Sequence, residues 1–145
     1  MPELNASEWD TFLGSYPNAH LLQTAAWGEL KASFGWQVAR LAVGQGSSAQ
    51  TGAQVLFRRL PLGFSLAYIA KGPVGGQPWG PLWPEVDALC RKRKAVFLKV
   101  EPDLWEAPEG PAPVLPGFTP SPQSIQPRRT LLVDLCGDEE QVLAA

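Results

Sequence analysis

Fifteen prolines occur in 145 residues, and their uneven placement decides most of what the chain can form. Eight of them lie between Pro102 and Pro127. Proline has no amide proton to give to a helix turn or a strand ladder. A helix or a central strand is therefore excluded from that stretch, which reads as a surface loop wrapping back to the body of the fold, least constrained over Ala107 to Pro116. Regular structure has to come from the residues before Pro102 and from those after Pro127.

The first hundred residues carry clear periodicities. Ser7 can cap a first helix with Asp10 three residues on, and Trp9, Phe12 and Leu13 form its apolar face. Tyr16-Pro17-Asn18 ends it. Thr24 caps a second helix that carries Trp27, Leu30 and Phe34 on one stripe and stops at Gly35. The period then switches to two. Trp36 to Val43, Ala53 to Leu60 and Phe64 to Ala70 read as strands, the last two joined by the short Pro61-Leu62-Gly63 turn and hence antiparallel. Pro84 suits the first turn of a third helix with Val86, Leu89 and Cys90 facing inward. Ala95 to Val100 is short and strongly apolar, which predicts a central strand. The resulting fold class is α/β (α+β), a mixed sheet with helices on its faces.

Beyond the proline-rich loop, Ile125 to Leu135 reads as a further strand entered through Gln126-Pro127-Arg128-Arg129, and a helix then begins near Asp138. The expectation is the front part of something larger. A first domain is expected over residues 1–136, with 137–145 starting a helix that leads elsewhere.

Composition narrows the function classes. The net charge of −2 gives no global field to hold nucleic acid or an anionic membrane. Cys90 and Cys136 are too far apart for a local metal knuckle, and a reduced cytoplasmic setting is expected. HExxH, GxSxG and GxxxxGK[ST] are absent, which removes metalloprotease, hydrolase-elbow and P-loop chemistry. The single histidine, His20, reads as a cap or turn residue.

A few residues remain as site candidates. Lys31 follows Trp27 by four positions, so its stem can lie on the indole while its ammonium meets a phosphate. Lys71-Gly72-Pro73 closes a strand, and Gly72 there allows close approach to the backbone. Glu101 ends a strand, where it can orient an amine or pair with a nearby lysine. The run Arg91-Lys92-Arg93-Lys94 reads as a solvated helix end, or else as a weak steering patch for tRNA or lipid headgroups.

The ordered set HLLQTAAWGELKASFGW (20–36), LAYIAKGPV (66–74), AVFLKVEP (95–102), GFTPSPQSIQPRRTLLVDL (117–135) and the closing acidic DEEQVL resembles the FemABX aminoacyltransferases, over nearly the whole chain. The resemblance implies an acyl-CoA N-acyltransferase (GNAT)-like sheet, the first of two tandem domains. It implies transfer of an amino acid from aminoacyl-tRNA to the amine of a UDP-linked or lipid-linked muropeptide, with no cofactor. The chemistry needs positioning and oxyanion stabilisation but no enzyme nucleophile, consistent with the thin catalytic inventory. Lys31 matches a contact to the precursor diphosphate, Phe34 a following aromatic, and Lys71 and Gly72 a strand-end motif on the same cleft. Glu101 matches an acid sometimes considered for catalysis. A cytoplasmic protein is implied, with a peripheral position at the inner membrane face as a variant.

Two other readings stand beside it. An acyl-CoA-dependent N-acetyltransferase needs an R/Q-x-x-G-x-G/A loop, but Arg58-Arg59-Leu60-Pro61-Leu62-Gly63 has a proline where an amide donor is wanted. A non-catalytic module gripping a nucleotide-sugar peptide or a protein also fits.

Overall fold

The structure, a computed structural model, describes residues 3–44, 50–104, 115–127, 136 and 139–140. It divides into two compact units, 1–114 and 115–145. In the second, residues 115–127 form successive turns, with Phe118 N–H donating to Leu115 O and Gly117 at φ +83. Glu139 and Glu140 are helical. Most of the expected strand Ile125–Leu135 and of the closing helix lies outside the described residues.

In the first unit the order is α1 (Ala6–Leu13), α2 (Ala25–Ser33), β1 (Trp36–Val43), β2 (Thr51–Arg59), β3 (Ser65–Ala70), β4 (Val74–Gly75), α3 (Trp83–Lys92) and β5 (Ala95–Glu101). The sheet runs β1-β2-β3-β5, with the two-residue β4 pairing on β2. The β1–β2 and β2–β3 pairs are antiparallel and β3–β5 is parallel, so the sheet is mixed as expected.

One expectation about a helix boundary is corrected. Helix α1 is capped by Asn5 rather than Ser7: Asn5 accepts from Glu8 N–H, and Glu8 returns a bond to Asn5 N–H. Glutamate reaches back to the cap more easily than aspartate because it is one methylene longer, so Asn5/Glu8 prevails over Ser7/Asp10. Among the described residues β5 is the outermost strand, and Val96 and Phe97 are exposed despite their apolarity. A parallel partner for β3 must arrive through a crossover, and α3 supplies it.

Alternation sorts the sheet into two faces. Ala39, Leu41, Ala53, Val55, Phe57, Ala67 and Ile69 point to one side and pack on Leu82, Val86, Leu89 and Cys90 of α3 and its approach. Burial there, with Asp87 adding, pushes the Cys90 thiol up to about 11, and neither Cys90 nor Cys136 is in a disulfide. The opposite face is shared. Trp9 and Phe12 of α1 cover one end with Ala25 and Val74, while Leu22, Leu56, Tyr68 and Ala70 form a second cluster under Trp27, Trp36 and Val38. This second cluster carries the candidate site.

Candidate functional site

How α2 is held decides where Lys31 sits. Of the stripe Trp27, Leu30, Phe34, Trp27 packs on this cluster whereas Leu30 and Phe34 are exposed, and Ala25 and Gly28 are the buried positions of the helix. The reason is a polar network beneath them. Gln23, in a 3-10 turn capped by His20 Nδ1, donates from Nε2 to Ala70 O (2.6 Å) and accepts from Gln54 N–H (2.8 Å). Gln54 Nε2 donates to Thr24 O (2.9 Å), and Arg40 Nε donates to Gln54 Oε1 (2.8 Å). Trp9 Nε1 closes the set on Gln23 O (2.6 Å). All these side chains are buried, and burial lowers the Arg40 pKa. Buried polar groups are retained where each finds a partner, and this network ties the N-terminus of α2 to β2 and β3. A side chain at position 28 would strike it: a Cβ there would lie 2.4 Å from Gln54 Oε1.

One turn apart on α2, Trp27 and Lys31 meet the start of β1. Lys31 Nζ stands 5.5 Å from the Trp27 ring centroid and 5.2 Å from that of Trp36, the first residue of β1. Arg58 stacks on the same Trp36 at 5.5 Å and donates to Phe34 O at 3.2 Å. One indole thus lies between two cations, each attracted to its negative π face. Among the described residues, Trp27 Nε1 is the one buried side-chain polar atom without a hydrogen-bond partner. No carboxylate pairs with Lys31 among the described residues.

Next to this aromatic pair, on the same face, the register sets Tyr68 beside Lys99 and Ala70 beside Glu101. Tyr68 Oη donates to Glu101 Oε2 at 2.6 Å, and Lys99 Nζ lies 3.8 Å from Glu101 Oε1. Glu101 is therefore held in place and largely buried. A carboxylate fixed in this way can orient an ammonium; to act as a base it would have to leave the tyrosine.

The remaining candidates divide. Lys71, at φ +51, pairs with Asp103 at 3.5 Å beyond the end of β5. Gly72 is buried, and its missing side chain makes room for Gln23, whose amide a Cβ would meet at 2.8 Å. Close approach at Gly72 thus serves an internal contact. The structure brings Lys31, Trp27 and Trp36 together, and Tyr68 with Glu101, while Gly72 packs on Gln23 in the turn before α2. The basic run is partly absorbed: Arg93 donates to Glu3 (2.8 Å) and Gln37 (3.2 Å), while Arg91 pairs with Asp87 (3.0 Å).

Trp36, Arg58, Tyr68 and Lys99 were missed from the sequence. Lys99 and Glu101 stand two apart on one strand and so share a face, which was a usable signal. The cross-strand partners were not.

A family model described as the FemAB family matches residues 4–109. The lipid II:glycine glycyltransferase of Staphylococcus aureus is 31% identical over 152 residues, covering 94% of this chain and 36% of its own length. The protein of the same name from the bovine strain RF122 / ET3-1 matches to the same extent. The crystal structure of FemX superposes with a TM-score of 0.61 at 33% identity, over 72% of this chain and 28% of that one. This chain thus spans about a third of the length of the curated relatives it matches. Its mixed sheet with flanking helices is the GNAT-like arrangement expected from the sequence. With the match running from Leu4 through the whole sheet and past its last strand, the chain belongs to the FemAB family.

Proposed function

We propose that this chain is the precursor-binding first domain of an aminoacyltransferase that moves an amino acid from aminoacyl-tRNA to the peptide amine of a peptidoglycan precursor. Family membership and the glycyltransferase relatives support the reaction class. The observation that carries the binding role is the pairing of Lys31 with Trp27. Among the described residues no carboxylate pairs with the Lys31 ammonium, which lies over the Trp27 ring. An anionic oxygen is the group that satisfies such a donor, and a diphosphate offers several.

In this reading Lys31 grips the diphosphate, exposed Phe34 lines the approach, and Lys71 borders the far side of the sheet face. Glu101, steadied by Tyr68, orients an amine. Transfer needs no nucleophile from the protein, because the acceptor amine attacks the aminoacyl ester and the tRNA ribose departs. The protein lowers the barrier by positioning. The tRNA-binding groups and a second tandem domain belong to the rest of the longer protein. Among the described residues no helix is long and apolar enough to cross a membrane. We place the protein in the cytoplasm, reaching a lipid-linked acceptor from the membrane face.

Incubating the longer protein with charged tRNA and a muropeptide tests the reaction, with acetyl-CoA as the competing donor. Aminoacylated muropeptide is expected. Acetylated product, with none from charged tRNA, would replace this reading with an ordinary N-acetyltransferase.

A further inference from the structure

Two connections meet at one end of the sheet. Ser65 N–H donates to Lys94 O (3.0 Å) and Ser65 Oγ to Arg93 O (2.7 Å), so the β2–β3 turn lies alongside the end of α3. Residues 58–65 and 91–97 hold six of the chain's twelve Lys and Arg and no carboxylate. Elsewhere the sequence holds six cations and fourteen acids.

The tip of this basic end is apolar. Leu62 is 92% exposed and sits at φ 62, ψ 19, a region that asparagine and glycine enter more readily than leucine. Phe64 beside it is 45% exposed. Arg59 and Lys94 flank the pair and are exposed. Lys92 is also largely exposed and reaches Glu3 only at 3.5 Å.

We propose that this end of the sheet docks on an anionic lipid bilayer, with Leu62 and Phe64 entering the boundary between headgroups and acyl chains and Arg59, Lys92 and Lys94 lying among the headgroups. An apolar tip ringed by cations matches the layered chemistry of that boundary. RNA fits less well, because an aliphatic tip offers no π face on which a base can stack. The inference rests on the turn and its charges and does not require transfer chemistry. Vesicle binding can fail while transfer to a soluble acceptor persists.

The test is co-sedimentation of the chain with vesicles of phosphatidylcholine alone and of phosphatidylcholine with phosphatidylglycerol. Binding is expected only with phosphatidylglycerol, and it should weaken as salt rises. Leu62→Asn should weaken it about tenfold or more by removing the inserted side chain. Lys94→Asn should weaken it about fivefold. Lys94 also has a positive φ (52), so both variants put asparagine where the backbone suits it, and unchanged urea midpoints confirm folding. Absence of vesicle binding, or equal binding by wild type and Leu62→Asn, overturns the proposal. Self-association lost in Leu62→Asn, without lipid binding, would reassign the surface to a second copy. Lys94-dependent binding of tRNA, without lipid binding, would reassign it to RNA.

Discussion

Replacing Gly28 with alanine probes the support on which the candidate site rests. Taken alone, alanine in a helix interior gains about 0.8–1.0 kcal/mol over glycine. At this position the added Cβ would lie 2.4 Å from Gln54 Oε1 and 2.8 Å from Arg40 Nη2. Gln54 cannot move aside freely, since it is bonded to Thr24 O at 2.9 Å and to Arg40 Nε at 2.8 Å. Displacing it leaves two buried polar groups short of partners, at about 1–3 kcal/mol each. After subtracting the helix gain, Gly28→Ala should destabilise by about 1–5 kcal/mol in urea unfolding followed by tryptophan fluorescence. In a Gln54→Ala background the space is open, so the same change should cost at least about 1 kcal/mol less. A neutral or stabilising Gly28→Ala, or strict additivity in the double variant, would refute the claim that this network sets the height of α2 above the sheet.

Other outcomes rest on the same geometry. Tyr68→Phe removes the bond to the Glu101 carboxylate and should cost about 1–2 kcal/mol of stability, since charge-assisted bonds stand near the top of the net range; an unchanged urea midpoint would show that the pair is not coupled in solution. Cys90 binds its proton more tightly when folded, its pKa rising from 9.0 to about 11. Its contribution is intact below about pH 9 and falls by roughly 2–3 kcal/mol as pH climbs through 11. Cys90→Ala should flatten alkaline unfolding over that window, and an unaltered slope would reject the assignment. Thiol labelling of the native chain near pH 8 should modify exposed Cys136 and spare buried Cys90, whereas rapid labelling of both would contradict the packing under α3.

Much of the fold was legible because its strands alternate cleanly and its helix ends carry strong local signals. Thr24 does cap α2, accepting from Trp27 N–H at 3.2 Å, and Val86, Leu89 and Cys90 do face inward. What stayed hidden involves partners distant in sequence. The stripe Trp27, Leu30 and Phe34 was readable, but the seat of α2 is made by small Ala25 and Gly28, which let buried Gln54 and Arg40 reach the helix. β5 pairs parallel with β3, a partner that its composition does not name and that the crossover through α3 sets. At the site, Lys31 and its stem on Trp27 were readable from i, i+4 spacing. Trp36 as a second support, and Tyr68 as the anchor of Glu101, depend on strand register. Gly72 illustrates the limit: a glycine at a strand end marks a close approach, and the sequence does not name the approaching group, here Gln23.

The central claim is that the Lys31 ammonium, held over Trp27 and Trp36, grips a diphosphate. Calorimetric titration of a UDP-linked muropeptide into the wild-type chain and into Lys31→Ala tests it directly. A loss of about tenfold or more in affinity is predicted, the scale of one charge-assisted contact, with Lys31→Arg retaining part of the binding. An identical dissociation constant for wild type and Lys31→Ala would contradict it.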